Sequence, residues 1–245
     1  MRLSQAWIVA RHDMRMFRQK RGILAGLIAL PLGVGLGFPL LVAYVLIPSV
    51  GSGADAVLPG FIDAFSFWFV IGAASLPTSI ASYSIVGEKI SKSLEPLLST
   101  PTTDGEILLG KSLAAFLPTI LAVWGGSVLF QVLMDLVTRS ALGYWYFPNW
   151  AMAVMLFVTM PLAALLAIEA CVVISARVTD VRSAQQYAGV IFLPFIILYV
   201  AAEVKLTLDA TNLLYISAAL AVIVGALYAV STRSFRREEI LTRWK

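Results

Sequence analysis

The sequence predicts an all-α polytopic membrane protein with six transmembrane helices, and three observations lead to that prediction. Hydrophobic residues make up 60% of the 245 residues and charged residues only 13%. A soluble domain averages about 25% charged residues. The apolar residues form long blocks separated by short polar intervals, and the basic residues are concentrated in alternate intervals. These properties predict a single transmembrane domain over residues 1–245, surrounded by membrane lipid.

The N-terminal segment, residues 1–21, is predicted to form an amphipathic helix that lies in the membrane interface. Apolar side chains recur there at spacings of three and four residues: Leu3, Trp7, Ala10, Met14 and Phe17. This spacing places them on one face of a helix. The segment also carries six basic residues, and a basic helix with an aromatic-bearing apolar face is typical of the interface. The alternative is a disordered basic tail that only sets the topology.

Six apolar blocks are long enough to cross a bilayer, which takes about 20 helical residues. They comprise residues 22–47, 61–85, 112–134, 150–175, 184–202 and 212–230. The first block follows a basic segment, as the core of a signal peptide does. It is longer than the apolar core of about 7–15 residues in a signal peptide, so we predict that it is retained as a span. Pro194 interrupts the fifth block, which either crosses the membrane fully or re-enters from one side.

Glycines in the first block have a spacing that suits helix packing. Gly33 and Gly37 are four residues apart, and small residues at this spacing allow another helix to approach closely. The same spacing is common by chance in apolar helices. We expect Gly33 and Gly37 to lie at a contact between helices.

The distribution of charge predicts the orientation. Basic residues number six in 1–21, three in 86–111, two in 176–183 and five in 231–245, while Arg139 and Lys205 lie in the remaining intervals. The positive-inside rule therefore places both termini and residues 86–111 in the cytoplasm. The net charge of +4 is explained by this orientation, so nucleic acid is not an expected partner.

The longest polar interval, residues 86–111, is predicted to contain a short helix outside the membrane. Pro101 can end one helix, because its ring removes a hydrogen-bond donor. Thr103 is then the predicted N-cap of a short helix, Asp104–Leu109, and Glu106 completes a capping box. The alternative is a solvated loop that only joins two spans.

Short groups of residues in this interval occur in a characteristic order: Glu88-Lys89, Leu94-Glu95, Leu97-Leu98, Thr100-Pro101, Glu106-Ile107-Leu108 and Gly110-Lys111. This order resembles the signature of type-2 ABC export permeases. The resemblance implies that the segment is the cytoplasmic coupling helix between the second and third spans, which docks into a separate ATPase subunit. Thr103 and Asp104 would belong to the same coupling site, and Ile107, Leu108 or Leu109 would supply apolar anchors.

The resemblance further implies a permease subunit of an ATP-driven exporter in the plasma membrane of a prokaryote. Two ATPase subunits and a second permease copy, either identical or related, would be its partners. No Gly-rich phosphate loop occurs in the sequence, so ATP and Mg²⁺ would be bound by the ATPase subunits. The chain is therefore predicted to be neither an enzyme nor the holder of a cofactor.

Glu169 is the one acidic residue well inside a predicted span. Intramembrane carboxylates are costly and are candidates for a functional site. A structural role, with a hydrogen bond to a neighbouring helix, fits the sequence equally well. A secondary transporter would use such a group but would normally contain several, so it is the weaker alternative to an ABC permease, followed by a non-transporting assembly factor. The single Cys171 and the single His12 predict no metal site.

Overall fold

The computed structural model describes residues 3–90, 102–175 and 210–234. It also describes parts of the intervening stretch, namely residues 178, 180, 182–183, 185–187, 189–190, 193–194 and 196–197. The described residues are mostly helical, and no strand occurs among them. The prediction of an all-α membrane protein is confirmed at this level.

The helices follow one another with few irregular residues between them. In chain order they are α1 (Leu3–Arg18), α2 (Arg21–Leu41), α3 (Ile47–Val50), α4 (Ala54–Ile90), α5 (Asp104–Leu142), α6 (Trp150–Val154), α7 (Met160–Ser175) and α8 (Ala210–Ser234). Two π-helical segments, Val42–Leu46 and Met155–Thr159, join α2 to α3 and α6 to α7. A 3₁₀ turn, Gly51–Gly53, leads into α4.

Five helical stretches of the described residues are long and apolar enough to cross a membrane: Arg21–Val50, Ala54–Ser82, Asp104–Leu142, Trp150–Ser175 and Thr211–Thr232. They correspond to five of the six predicted spans. About half of the other predicted span, residues 184–202, lies outside the described residues, and those of its residues that are described are helical. A sixth crossing therefore stays a prediction, as does the choice between crossing and re-entry near Pro194.

The helix α7 lies at the centre of the bundle. It packs against α4 and α8, and α5 packs against α2, α4 and α7. Small and aliphatic side chains of α7 are buried in these contacts: Ala163, Ala164, Ala167, Ile168 and Cys171. Small side chains let the backbones of membrane helices approach one another, which strengthens their van der Waals packing.

The helices α2 and α5 approach closely at Gly35 and Gly126. A Cβ atom at Gly126 would lie 2.5 Å from Cβ of Pro31, and one at Gly35 would lie 2.9 Å from the carbonyl oxygen of Gly126. At Gly33 and Gly37 a Cβ atom would meet nothing within 4 Å in the described chain. These two glycines are offset by two residues from Gly35, about 200° around the helix, so they face away from α5. Their contact with another helix stays a prediction.

The helix α5 differs most from its prediction. The sequence predicts a short helix, Asp104–Leu109, and a separate span, 112–134, but one uninterrupted helix of 39 residues runs from Asp104 to Leu142. The prediction of a separate short helix is therefore wrong. A change from polar to apolar side chains does not interrupt backbone hydrogen bonding, and the first proline of α5 is Pro118. At about 1.5 Å per residue the helix is about 58 Å long, roughly twice the hydrocarbon core, so it extends beyond the bilayer.

Candidate functional site

The start of α5 is fixed by local contacts. Thr103 is the N-cap, with extended backbone angles of φ −79° and ψ 156°. Its N–H donates to Oε2 of Glu106 at 3.0 Å, and the predicted capping box is present. Asp104 and Glu106 also place negative charge in the first turn, where the helix dipole favours it. The predicted start of the helix is therefore confirmed.

The helix α1 packs against α5, and Gly110 lies at the contact. A Cβ atom at Gly110 would lie 2.7 Å from the carbonyl oxygen of Ala6 and 2.8 Å from Cβ of Val9. Ala6 and Val9 are buried, so a larger residue at position 110 would have to displace α1. The family resemblance predicts that Gly110 is a coupling residue, and within this chain it allows two helices to pack.

Two of the predicted apolar anchors face into the chain. Ile107 is fully buried and Leu108 is 2% exposed. Leu109 and Asp104 are half-buried, and Thr103 is exposed. A partner can therefore reach Thr103, Asp104 and Leu109, whereas Ile107 and Leu108 are covered by the chain itself.

A buried ion pair joins α1 to α5. Nζ of Lys111 lies 3.5 Å from Oδ2 of Asp13, and both side chains are 1% exposed. Nδ1 of the exposed His12 lies 3.5 Å from Oδ1 of the same carboxylate. Moving a charge from water into the protein interior costs roughly several kcal/mol, and a close counter-charge offsets that cost. The loss of either partner would leave the other charge buried without this compensation.

The sequence analysis predicts no role for Asp13, although a signal for it exists. It is the one acidic residue among residues 1–21, which carry six basic residues. A lone acid in a basic helix indicates a specific partner, but it does not identify that partner. The family signature predicts a role for Lys111, and the structure shows that its side chain contacts Asp13.

Glu169 lies in α7 and contacts α5. Its Oε1 atom accepts a hydrogen bond from Oγ of Ser112 at 3.0 Å, and its side chain is 4% exposed. Ser112 directly follows Lys111, so the carboxylate lies at nearly the same level of α5 as the buried ion pair. Ser175, where α7 ends, is six residues or about 9 Å further along. The hydrogen bond fits the structural role left open by the sequence, and a role in transport stays a prediction.

The other end of α5 is organised by Asp135. Its carboxylate accepts hydrogen bonds from the backbone N–H groups of Tyr146 at 2.9 Å and Phe147 at 3.1 Å. The hydroxyl of Tyr146 donates to Oδ1 of Asp63 at 2.7 Å. Burial and this hydrogen bond to Asp63 both raise the pKa of Tyr146 above its usual value. The phenol therefore keeps its proton and continues to donate at neutral pH.

The side chains of three predicted coupling residues are not described. Glu95 and Pro101 lie outside the described residues, and the backbone of Glu88 is helical within α4. The helix α4 thus continues beyond the predicted second span, 61–85, into the polar interval. The coupling roles of Glu88, Glu95 and Pro101 stay predictions.

The comparison with protein families agrees with the geometry. A model of the ABC-2 family of transporter proteins matches residues 7–213, from α1 to the first turn of α8. A comparison with curated proteins finds no significant match. Family membership disfavours both a secondary transporter and an assembly factor, and it implies association with ABC ATPase partners. The chain therefore belongs to the ABC-2 transporter family and is an integral membrane permease subunit of an ABC transporter rather than its ATPase.

Proposed function

We propose that the chain is the permease of an ABC exporter, in which a pair of permease chains works with two ATPase subunits. The ATPase subunits would bind ATP and Mg²⁺, and the permease would convert their closure into movement of its spans. Both termini and residues 86–111 face the cytoplasm in this proposal, in agreement with the distribution of basic residues. The resemblance of residues 86–111 to type-2 ABC export permeases supports export rather than import.

The continuity of α5 is the observation that best supports the proposal. One helix contains both the polar turns at residues 104–111 and an apolar stretch long enough to cross the membrane. Hinges are usually formed by loop or element-terminal residues, and this helix has no interruption between the two parts. A displacement of its first turn by an ATPase subunit would therefore reach the membrane directly.

The contact with α1 extends this movement to a second span. Gly110 and the Asp13–Lys111 pair hold α1 against the start of α5. Only two residues separate the end of α1 at Arg18 from the start of α2 at Arg21. A force on the start of α5 would therefore also act on α2, the first span, through α1.

The residues that the ATPase would contact are those left accessible by α1. Thr103, Asp104 and Leu109 form the proposed docking surface. Ile107 and Leu108 would instead fix its position from inside the chain, because they are buried beneath it. This assignment keeps the predicted coupling segment and leaves Leu109 as its accessible apolar anchor.

Leu109→Ala tests the docking surface. Truncating an interface anchor commonly costs more than about 1 kcal/mol, so association with the co-purifying ABC ATPase should fall about fivefold to tenfold. Thermal unfolding of the permease should change little, because Leu109 is only half-buried. Leu108→Ala is the matched control. It removes a buried side chain and should lower the stability of the permease by about 2–5 kcal/mol.

The measurements are pull-down of the ATPase subunit and stimulation of its ATP hydrolysis in reconstituted membranes. Full association and full stimulation by Asp104→Ala with Leu109→Ala would contradict the proposal. The polar turn at residues 176–183 would then be the next surface to test.

A further inference from the structure

The helix α1 carries three arginines on a face that does not pack against α5. Arg11, Arg15 and Arg18 are exposed. At about 100° per residue they fall within a sector of about 60° around the helix. Among the described residues none of the three forms an ion pair. The buried face of α1, with Asp13 and Ala6, fixes the rotation of the helix and hence the direction of the arginines.

Exposed apolar side chains lie on both sides of the arginine stripe, which we define as Arg11, Arg15 and Arg18. Leu3 and Trp7 are 73% and 49% exposed on one side, and Ile8 is 61% exposed on the other. Arginine beside tryptophan and aliphatic side chains is typical of the boundary between lipid headgroups and acyl chains. Contact with water alone would not stabilise these apolar side chains.

The chain holds α1 close to the bilayer surface. Arg18 lies three residues before Arg21, where the apolar stretch Arg21–Val50 begins. Three residues span at most about 11 Å. The headgroup region on each side of the hydrocarbon core is about 5–8 Å thick. Arg18 therefore lies in or next to the headgroup region.

The end of the stripe forms an open pocket. Arg15, Arg18 and Gln19 line it, and its volume is about 350 Å³. A guanidinium group can bind two oxygens of a phosphate with parallel hydrogen bonds, and a glutamine amide supplies two further donors. We propose that the arginine stripe binds the phosphate of an anionic phospholipid headgroup, with Trp7 and Leu3 in contact with its acyl chains.

Bound lipid would thereby hold α1, and with it the start of α5, at the membrane surface. The inference does not depend on the proposed docking surface, because the stripe does not include Thr103, Asp104 or Leu109. It adds a binding site for one class of lipid to the permease.

The test is native mass spectrometry of the full chain, purified in detergent and titrated with phosphatidylglycerol or phosphatidylcholine. We expect the triple substitution R11Q/R15Q/R18Q to reduce phosphatidylglycerol retention about tenfold or more and to leave phosphatidylcholine retention unchanged. R11K/R15K/R18K should retain part of the binding, because lysine keeps the charge but not the planar fork. Arg139→Gln, at the other end of α5, is the matched control and should leave the retention of both lipids unchanged.

Unchanged phosphatidylglycerol retention by the glutamine variant, with unchanged thermal unfolding, would overturn the proposal. Complete displacement of the lipid by millimolar inorganic phosphate would also overturn it, by identifying a site for free phosphate. Intact lipid retention with loss of ATPase association in phosphatidylcholine membranes would assign the stripe to the ATPase instead. If the triple variant unfolds, lipid retention is measured for Arg15→Gln alone, and the same outcomes support or overturn the proposal.

Discussion

The two ends of α5 are each held by an aspartate, but the contacts differ in kind. At the start, Asp13 of α1 pairs with Lys111 through side chains that are both buried. At the end, Asp135 accepts hydrogen bonds from the backbone of Tyr146 and Phe147. The first contact joins two long helices, whereas the second fixes a short connection to its own helix. The first should therefore be both more costly to break and more important for movement.

Breaking the ion pair should have the largest effect on stability. Lys111→Met leaves Asp13 buried without this cation, and breaking a buried pair from one side costs about 3–5 kcal/mol. The double variant Lys111→Met with Asp13→Leu removes both charges and should recover most of that loss. Thermal unfolding of the full chain in detergent measures both variants. A double variant no more stable than the single one would show that the pairing is not what holds α1.

Disturbing the close packing of α1 on α5 should have the second-largest effect on stability. Gly110→Ala places a Cβ atom 2.7 Å from the carbonyl oxygen of Ala6, and overpacking of this kind typically costs about 1–3 kcal/mol. Gly125→Ala is the control on the same helix, because nothing lies within 4 Å of its Cβ position. It should be neutral or stabilising, since alanine favours a helix over glycine by about 0.8–1 kcal/mol. Equal unfolding temperatures for the two variants would argue against the close contact.

Removal of the Tyr146 hydroxyl tests the contacts at the opposite end of α5 and should have a smaller effect on stability. Tyr146→Phe removes the hydrogen bond to Asp63, worth about 0.5–1.5 kcal/mol. Hydrogen exchange at the amides of Tyr146 and Phe147 should become faster as the connection loosens. Tyr144→Phe, at a side chain that is 51% exposed, is the matched control and should leave the exchange unchanged.

The same residue predicts a dependence on pH. The pKa of Tyr146 is raised in the folded chain, so the folded state keeps a proton that the unfolded state loses. Its contribution to stability is fully present below the unfolded pKa of about 10 and falls as the pH rises above that value. Tyr146→Phe should remove this part of the alkaline loss of stability. An identical alkaline profile in the variant would show that another group is responsible.

The parts of the site that could be predicted are those that depend on near neighbours. Thr103 and Glu106 are three residues apart, so their capping box follows from local helix geometry. The pairing of Lys111 with Asp13 could not be predicted in this way, because its partner lies on another helix. The continuity of α5 could not be predicted from hydropathy, because the side chains change polarity near Ser112 while the backbone remains compatible with a helix.

The fold shows the same difference between features that depend on near neighbours and features that depend on contacts with other helices. Hydropathy located five of the apolar stretches, since the thickness of the bilayer sets their length. It did not locate their ends, as the extension of α5 beyond 112–134 in both directions shows. Glycine spacing identified small residues in α2 but not the face that meets α5, which is that of Gly35 rather than Gly33 and Gly37.

Glu169 lies near the ion-pair end of α5 and should have the smallest effect on stability. Glu169→Gln keeps the shape of the side chain and an acceptor for the hydroxyl of Ser112, so the expected change is within about 1 kcal/mol. Our hypothesis, motivated by the burial of this carboxyl group inside a span, is that the transport cycle is impaired more than folding or ATPase association. ATP turnover by the reconstituted complex, measured beside thermal unfolding, separates these effects.

Ser112→Ala decides between the two roles of Glu169, because it removes the hydrogen bond but keeps the carboxyl group. If the carboxyl group itself takes part in the cycle, Glu169→Gln lowers ATP turnover and Ser112→Ala leaves most of it. If Glu169 only joins α7 to α5, Ser112→Ala should lower ATP turnover more than Glu169→Gln does. Ser112→Ala leaves the buried carboxylate without this donor, whereas glutamine preserves the hydrogen bond. Normal turnover in Glu169→Gln would therefore assign the residue to the packing of α7 against α5.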